Sequence, residues 1–103
     1  MGVSRYISQI IDNNRRRLVN DLPIKQFLID LRNENVLNDD DVDELEEITP
    51  ANRQNDRFIR ILVKRDDEAF HQFCNLLIRN QAKAIQNLGK DLLQQINKGK
   101  LFC

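Results

Sequence analysis

Lys64-Arg65-Asp66-Asp67-Glu68-Ala69-Phe70-His71-Gln72-Phe73-Cys74 is the stretch on which the fold turns. It begins with two cations and passes through three acids before its first apolar residue. From there Ala69, Phe70, Phe73 and Cys74, continued by Leu76 and Leu77, recur at spacings of three and four. That is the helical period of about 100° per residue. Asp66 or Asp67 can cap such a helix, and acids in a first turn suit the positive end of its dipole. The stretch therefore reads as a break between two helices, with the second one starting at the acids.

Working back from the break, Phe58, Ile59, Leu62 and Val63 form the inward face of a helix that opens at Thr49-Pro50, a cap followed by proline. Before it, Asn38 caps a helix whose apolar edge is Val42, Leu45 and Ile48. Asp21-Leu22-Pro23 opens another, with Ile24, Phe27, Leu28 and Leu31 inward and a short link from Asn33 to Leu37. The first helix spans about Ser4 to Asn20, with Ile7, Ile10, Ile11, Leu18 and Leu22 on one side. Its middle, Asp12 to Arg17, is wholly polar, so it is expected to bend or break. Forward from the break, a last helix begins near Asn80 to Ala82, with Ile85, Leu88, Leu92, Leu93 and Ile96 on one stripe. Gly89 lies on that stripe and predicts close packing against a neighbouring helix. The expectation is an all-α fold: six short amphipathic helices in an antiparallel bundle, with the domain over residues 1–97 and a flexible tail over 98–103.

Composition narrows the function. A chain of 103 residues has a one-domain length. With 41% hydrophobic and 31% charged residues it is balanced for a soluble globule. Sixteen basic residues offset sixteen acidic ones, whereas a protein that coats nucleic acid or an anionic membrane is usually net basic. No apolar run reaches spanning length, and Tyr6 to Ile11 is too short and too polar for a signal peptide. His71 is the one histidine, and Cys74 and Cys103 have no paired spacing, so zinc cages are not expected. Two such cysteines also make a poor disulfide framework, which points to a reducing, cytoplasmic setting. No glycine-rich phosphate loop or calcium loop is present. Cys74 sits on an apolar side with no acid-oriented histidine, so it reads as a buried structural thiol and not as a nucleophile.

The break motif, with its basic turn, acid, Ala-Phe, two spacers and second Phe, resembles the signature between the fourth and fifth helices of caspase-recruitment domains. Asn35-Val36-Leu37-Asn38-Asp39-Asp40 resembles the link between their second and third helices, and the likeness extends over roughly Asp12 to Leu93. Where the family often carries glycine in the basic turn, this chain has Arg65-Asp66-Asp67. Death domains usually carry a core tryptophan, which is missing here. Death-effector domains carry an Arg-x-Asp-Leu motif in the last helix, where this chain has Gly89-Lys90-Asp91-Leu92. The resemblance implies the Greek-key death fold. It also implies a module that recruits other copies of the same fold, on caspases, scaffolds or adaptors in apoptotic or inflammatory signalling.

The charges carry an expectation of their own. Arg53, Arg57, Arg60 and Lys64 are spaced four, three and four along one helix, which places them on one basic stripe. Asp56 reads as lying off it, so no i,i+4 acid is expected to relieve these cations. Arg15, Arg16 and Arg17 form a second basic cluster. Seven of the nine residues from Asp39 to Glu47 are acidic, with Asp39, Asp43, Glu46 and Glu47 turned from the apolar edge. The candidate contact residues are thus Arg15, Arg16, Arg17, Arg53, Arg57 and Arg60 on the basic side. On the acidic side they are Asp39, Asp40, Asp43, Glu46 and Glu47. The plain alternative is that each stripe is only a solvated helix face.

Together these expectations describe a non-enzymatic adaptor or prodomain that needs no cofactor or metal. Its partner is another domain of the same fold, with a second copy of itself among the candidates, and not nucleic acid, membrane or a small-molecule substrate. A standalone decoy that caps such assemblies is one alternative. A small helical nucleic-acid binder using the Arg53–Lys64 stripe is another.

Overall fold

The computed structural model describes residues 2–102, with side chains through residue 98. Seven helices follow in chain order: α1 (Arg5–Asn13), α2 (Arg15–Asp21), α3 (Ile24–Asn33), α4 (Asp39–Glu46), α5 (Ala51–Val63), α6 (Asp67–Ile78) and α7 (Lys83–Phe102). Among the described residues there is no strand.

Seven helices replace the expected six because the first stretch is two. The chain leaves helical geometry at Asn14, which sits at φ −109° and ψ 8°. Asn14 is itself buried, and its side-chain amide donates to the carbonyl of Ile10 at 2.7 Å and to Gln95 Oε1 on α7 at 3.0 Å. A buried amide left without such partners would lose its hydration uncompensated, so its bonds fix where the chain turns.

Two sequence-expected caps are replaced. Asp21 closes α2 instead of opening α3, whose N-cap is Pro23 with no side-chain bond. Pro50, not Thr49, is the N-cap of α5. The other two caps behave as polar-residue chemistry dictates. Asn38 and Asp41 form a reciprocal capping box at α4. Asp66 accepts from the backbone of Ala69 at α6. The turn at Arg65-Asp66-Asp67 needs no glycine: Asp66 is extended, and among the described residues the one non-glycine residue with positive φ is Asn35, at 63°, in the link before α4. Asparagine tolerates that conformation better than most side chains. At the other end of the molecule, α7 does not stop at Asn97 but continues as helix to Phe102, over the stretch expected to be a tail. Cys103 lies outside the described residues.

The core gathers around Phe58, Phe70 and Phe73, all essentially inaccessible. The Phe58 and Phe73 rings sit 5.1 Å apart at 58°, a tilted arrangement that places a ring edge toward a face. Ile11, Leu18, Ile24, Leu31, Leu45, Ile59, Leu62, Leu77 and Leu88 complete it from every helix. The α6 and α7 helices pack most extensively on each other, α2 packs on α5, and α4 packs on α3 and α5. Gly89 is where α7 meets α6: a Cβ there would lie 2.8 Å from Leu77 Cβ and 3.0 Å from the Cys74 carbonyl oxygen.

Two further buried amides tie helix ends together. Gln54 donates to the carbonyl of Leu45 at 2.8 Å. The Asn55 amide donates to the carbonyls of Val19 and Leu22, each at 2.8 Å, and so satisfies the C-terminal end of α2 from α5. These bonds place α2 and α4 on either flank of α5, and that placement builds the charged surface.

Candidate protein interface

The basic surface is assembled by the docking of α2 on α5. Arg15, Arg57, Arg60, Val63 and Lys64 line a groove of about 490 Å³. Three of the six basic candidates therefore meet: Arg15, Arg57 and Arg60. The other three stand apart. Arg17 is drawn to α7, where it pairs with Asp91 at 3.1 Å. Arg16 and Arg53 are exposed and form no ion pair among the described residues.

The groove cations are not unrelieved, which corrects the expectation for Asp56. One of its oxygens accepts from Arg15 Nη1 at 3.1 Å, and the other accepts from Arg60 Nε at 3.1 Å. The pair with Arg60 is an i,i+4 contact along α5, and Asp12 adds a longer contact to Arg15 at 3.8 Å. Arg57 is engaged by Glu44 of α4, through both Nε and Nη2. The hydrogen bond from Arg57 holds the Glu44 carboxyl below its usual range, and the same bond raises the Arg57 guanidinium. All of these side chains are partly or largely open to water, where ion pairs contribute little net stability and chiefly set orientation.

The acidic candidates lie on α4 and at its C-cap, Glu47. Asp39, Asp40, Asp43, Glu46 and Glu47 are all exposed. Asp39 accepts from Arg32 at 3.4 Å, while Asp40, Asp43, Glu46 and Glu47 have no ion-pair partner among the described residues. The surfaces meet along one seam, where α4 packs on α5 and Glu44 reaches Arg57. One side of the molecule thus offers a cationic groove, and α4 beside α5 offers a ridge of carboxylates, of which Asp40, Asp43, Glu46 and Glu47 have no ion-pair partner among the described residues. Sequence reasoning missed Glu44 and Asp56 as members of this surface. The i,i+4 spacing of Asp56 and Arg60 was the available signal for one of them.

Cys74 is fully buried, and burial pushes its thiol up to about 12, so it is not a thiolate at neutral pH. No group of histidine, cysteine and carboxylate side chains that could hold a metal ion occurs among the described residues. No helix of the described residues is long and apolar enough to cross a membrane.

Comparison with protein families matches the caspase recruitment domain over residues 8–91, most of the chain. No curated protein and no solved structure matches. An all-helical bundle and a sequence that fits this family from within α1 into the first half of α7 agree: the chain belongs to the caspase recruitment domain family.

Proposed function

We propose that this domain recruits partners of its own fold by seating their acidic helix in the Arg15–Arg57–Arg60 groove and offering α4 to the groove of the next. Caspase recruitment domains are homotypic protein-interaction modules of death-fold signalling. The observation that carries the finer reading is a cationic groove on α2 and α5 beside a ridge on α4 where Asp40, Asp43, Glu46 and Glu47 have no ion-pair partner among the described residues. A contact between two different patches on two copies is heterologous, so it propagates into rings or open helices. Charge complementarity of this kind steers encounter and fixes register. In this reading the domain acts in the cytoplasm as an adaptor or as the prodomain of a caspase or scaffold. It works by raising the local concentration of whatever is attached to it.

The test is charge reversal on each side. Arg53→Glu with Arg57→Glu should weaken association, measured by light scattering against concentration at low salt, and leave the helical content intact. Asp43→Arg with Glu47→Arg should do the same, and mixing the two variants should restore part of the contact. Association indifferent to both reversals rejects the reading.

A further inference from the structure

We infer that Asp56 sets the selectivity of the basic groove by acting as a built-in competitor for the acid that a partner would bring. The inference rests on the reading of that groove as an acceptor of acidic surfaces. Both oxygens of Asp56 are in use, one on Arg15 from α2 and one on Arg60 from its own helix, each at 3.1 Å. The carboxylate bridges two of the groove's cations in the way an incoming carboxylate would. A third, Arg57, is held from the opposite side by Glu44. Among the described residues only Lys64, of the four cations lining the groove, has no carboxylate partner.

The consequence is discrimination. A sparse acid must displace Asp56, or approach past its negative charge, for a gain that Asp56 already supplies to Arg15 and Arg60. A dense acid offers several carboxylates at once and can outcompete it. The α4 segment, with seven acids in nine residues, is of this dense kind. Specificity is a difference of affinities, and a resident like charge lowers the weaker binder's share most. Because the Asp56 side chain is about one-third exposed, the repulsion it exerts is screened by salt. The Asp56–Arg15 pair also spans α2 and α5, so the same residue couples the groove's two walls.

The test uses the whole chain and a fluorescein-labelled poly-L-glutamate of twenty residues as a model acidic partner, with anisotropy read at several salt concentrations. Asp56→Asn should bind it more tightly, on the order of three- to tenfold at low ionic strength, with a steeper salt dependence. Asp56→Glu should stay near the parent. The gain of Asp56→Asn should vanish when Arg15→Gln and Arg60→Gln are added, a result that a merely structural role would not give. A parent chain that binds the probe, with Asp56→Asn binding no better, overturns the inference and leaves the groove reading standing. If parent and Asp56→Asn both fail to bind and Arg57→Glu changes nothing, the groove reading falls and this inference with it.

Discussion

Replacing Gly89 by alanine sets two effects of opposite sign against each other, and the packing of α6 on α7 decides between them. In an exposed helix interior the change would stabilise by about 1 kcal/mol, because alanine loses less backbone freedom than glycine. Here the new methyl would stand 2.8 Å from Leu77 Cβ, 3.0 Å from the Cys74 carbonyl oxygen and 3.0 Å from Ile78 Cγ1. Ordinary carbon contacts are about 3.5–4.0 Å, so each approach is short by roughly half an ångström or more. Ile78 can rotate away, but a Cβ and a carbonyl oxygen move only with the helix that bears them. The helices must therefore separate along their most extensive contact. Overpacking of this kind costs about 1–3 kcal/mol, and opposition by backbone-fixed atoms places this case near the top of that range. The expected net loss is about 2 kcal/mol, which lowers Tm by roughly 10 °C in a domain of this size. Urea unfolding followed by circular dichroism at 222 nm measures it, with an unchanged m-value showing that the two-state comparison holds. Asn87→Ala, at an exposed position on the same helix, serves as the control and should leave stability unchanged or slightly raised. A Gly89→Ala chain as stable as the parent, or more stable, would refute the close approach of the two helices at this residue.

Asn55→Ala should lose about 1–3 kcal/mol, since the carbonyls of Val19 and Leu22 lose their shared donor. Asn55→Asp should lose more by presenting an acceptor to two acceptors, and urea midpoints in the reverse order would contradict the assigned bonds. Cys74 carries a pH signature. Its thiol ionises from 9.0 when unfolded but only near 12 when folded, so between those values the folded state holds the extra proton. Stability contributed by the neutral thiol is complete below about pH 9 and falls above it, by at most about 1.4 kcal/mol per pH unit. The fall should be shallower in Cys74→Ala, and identical slopes from pH 9 to 11 would show that the thiol is not desolvated as described.

Much of the fold was legible because burial imposes a period. The three-and-four spacing of Phe70, Phe73, Cys74 and Leu77 could be read directly, and those side chains are the core. Local chemistry was equally legible at Asn38, Asp66 and Gly89, where a residue's role depends on its immediate chain neighbours or on one missing side chain. What escaped depends on partners brought in from far along the chain. The turn at Asn14 is fixed by Gln95, and the floor of the α2–α5 contact is fixed by Asn55 reaching back to Val19 and Leu22. No local pattern records either bond. The charged surface divides in the same way. Exposure of Asp39, Asp43, Glu46 and Glu47 followed from the apolar edge they avoid. The relief of Arg57 by Glu44 required knowing that α4 lies beside α5. Arg17 left its neighbours Arg15 and Arg16 for Asp91, because a run of three residues on a helix spreads over most of its circumference.

The hydroxyl of Tyr6 donates to the carbonyls of Gln95 and Ile96 on α7, and Asn14 reaches the same Gln95. These bonds join residues more than eighty positions apart. They set an order of assembly during synthesis. When α1 leaves the ribosome, the α7 surface it packs against has not yet been made. Until it is, α2 is the only one of its two main packing partners to exist. Within this domain the helix made first is thus among the last to be sealed, and it carries an open apolar flank until α7 follows. Chaperone capture, or misassembly with a neighbouring nascent chain, would act in that interval and through that flank.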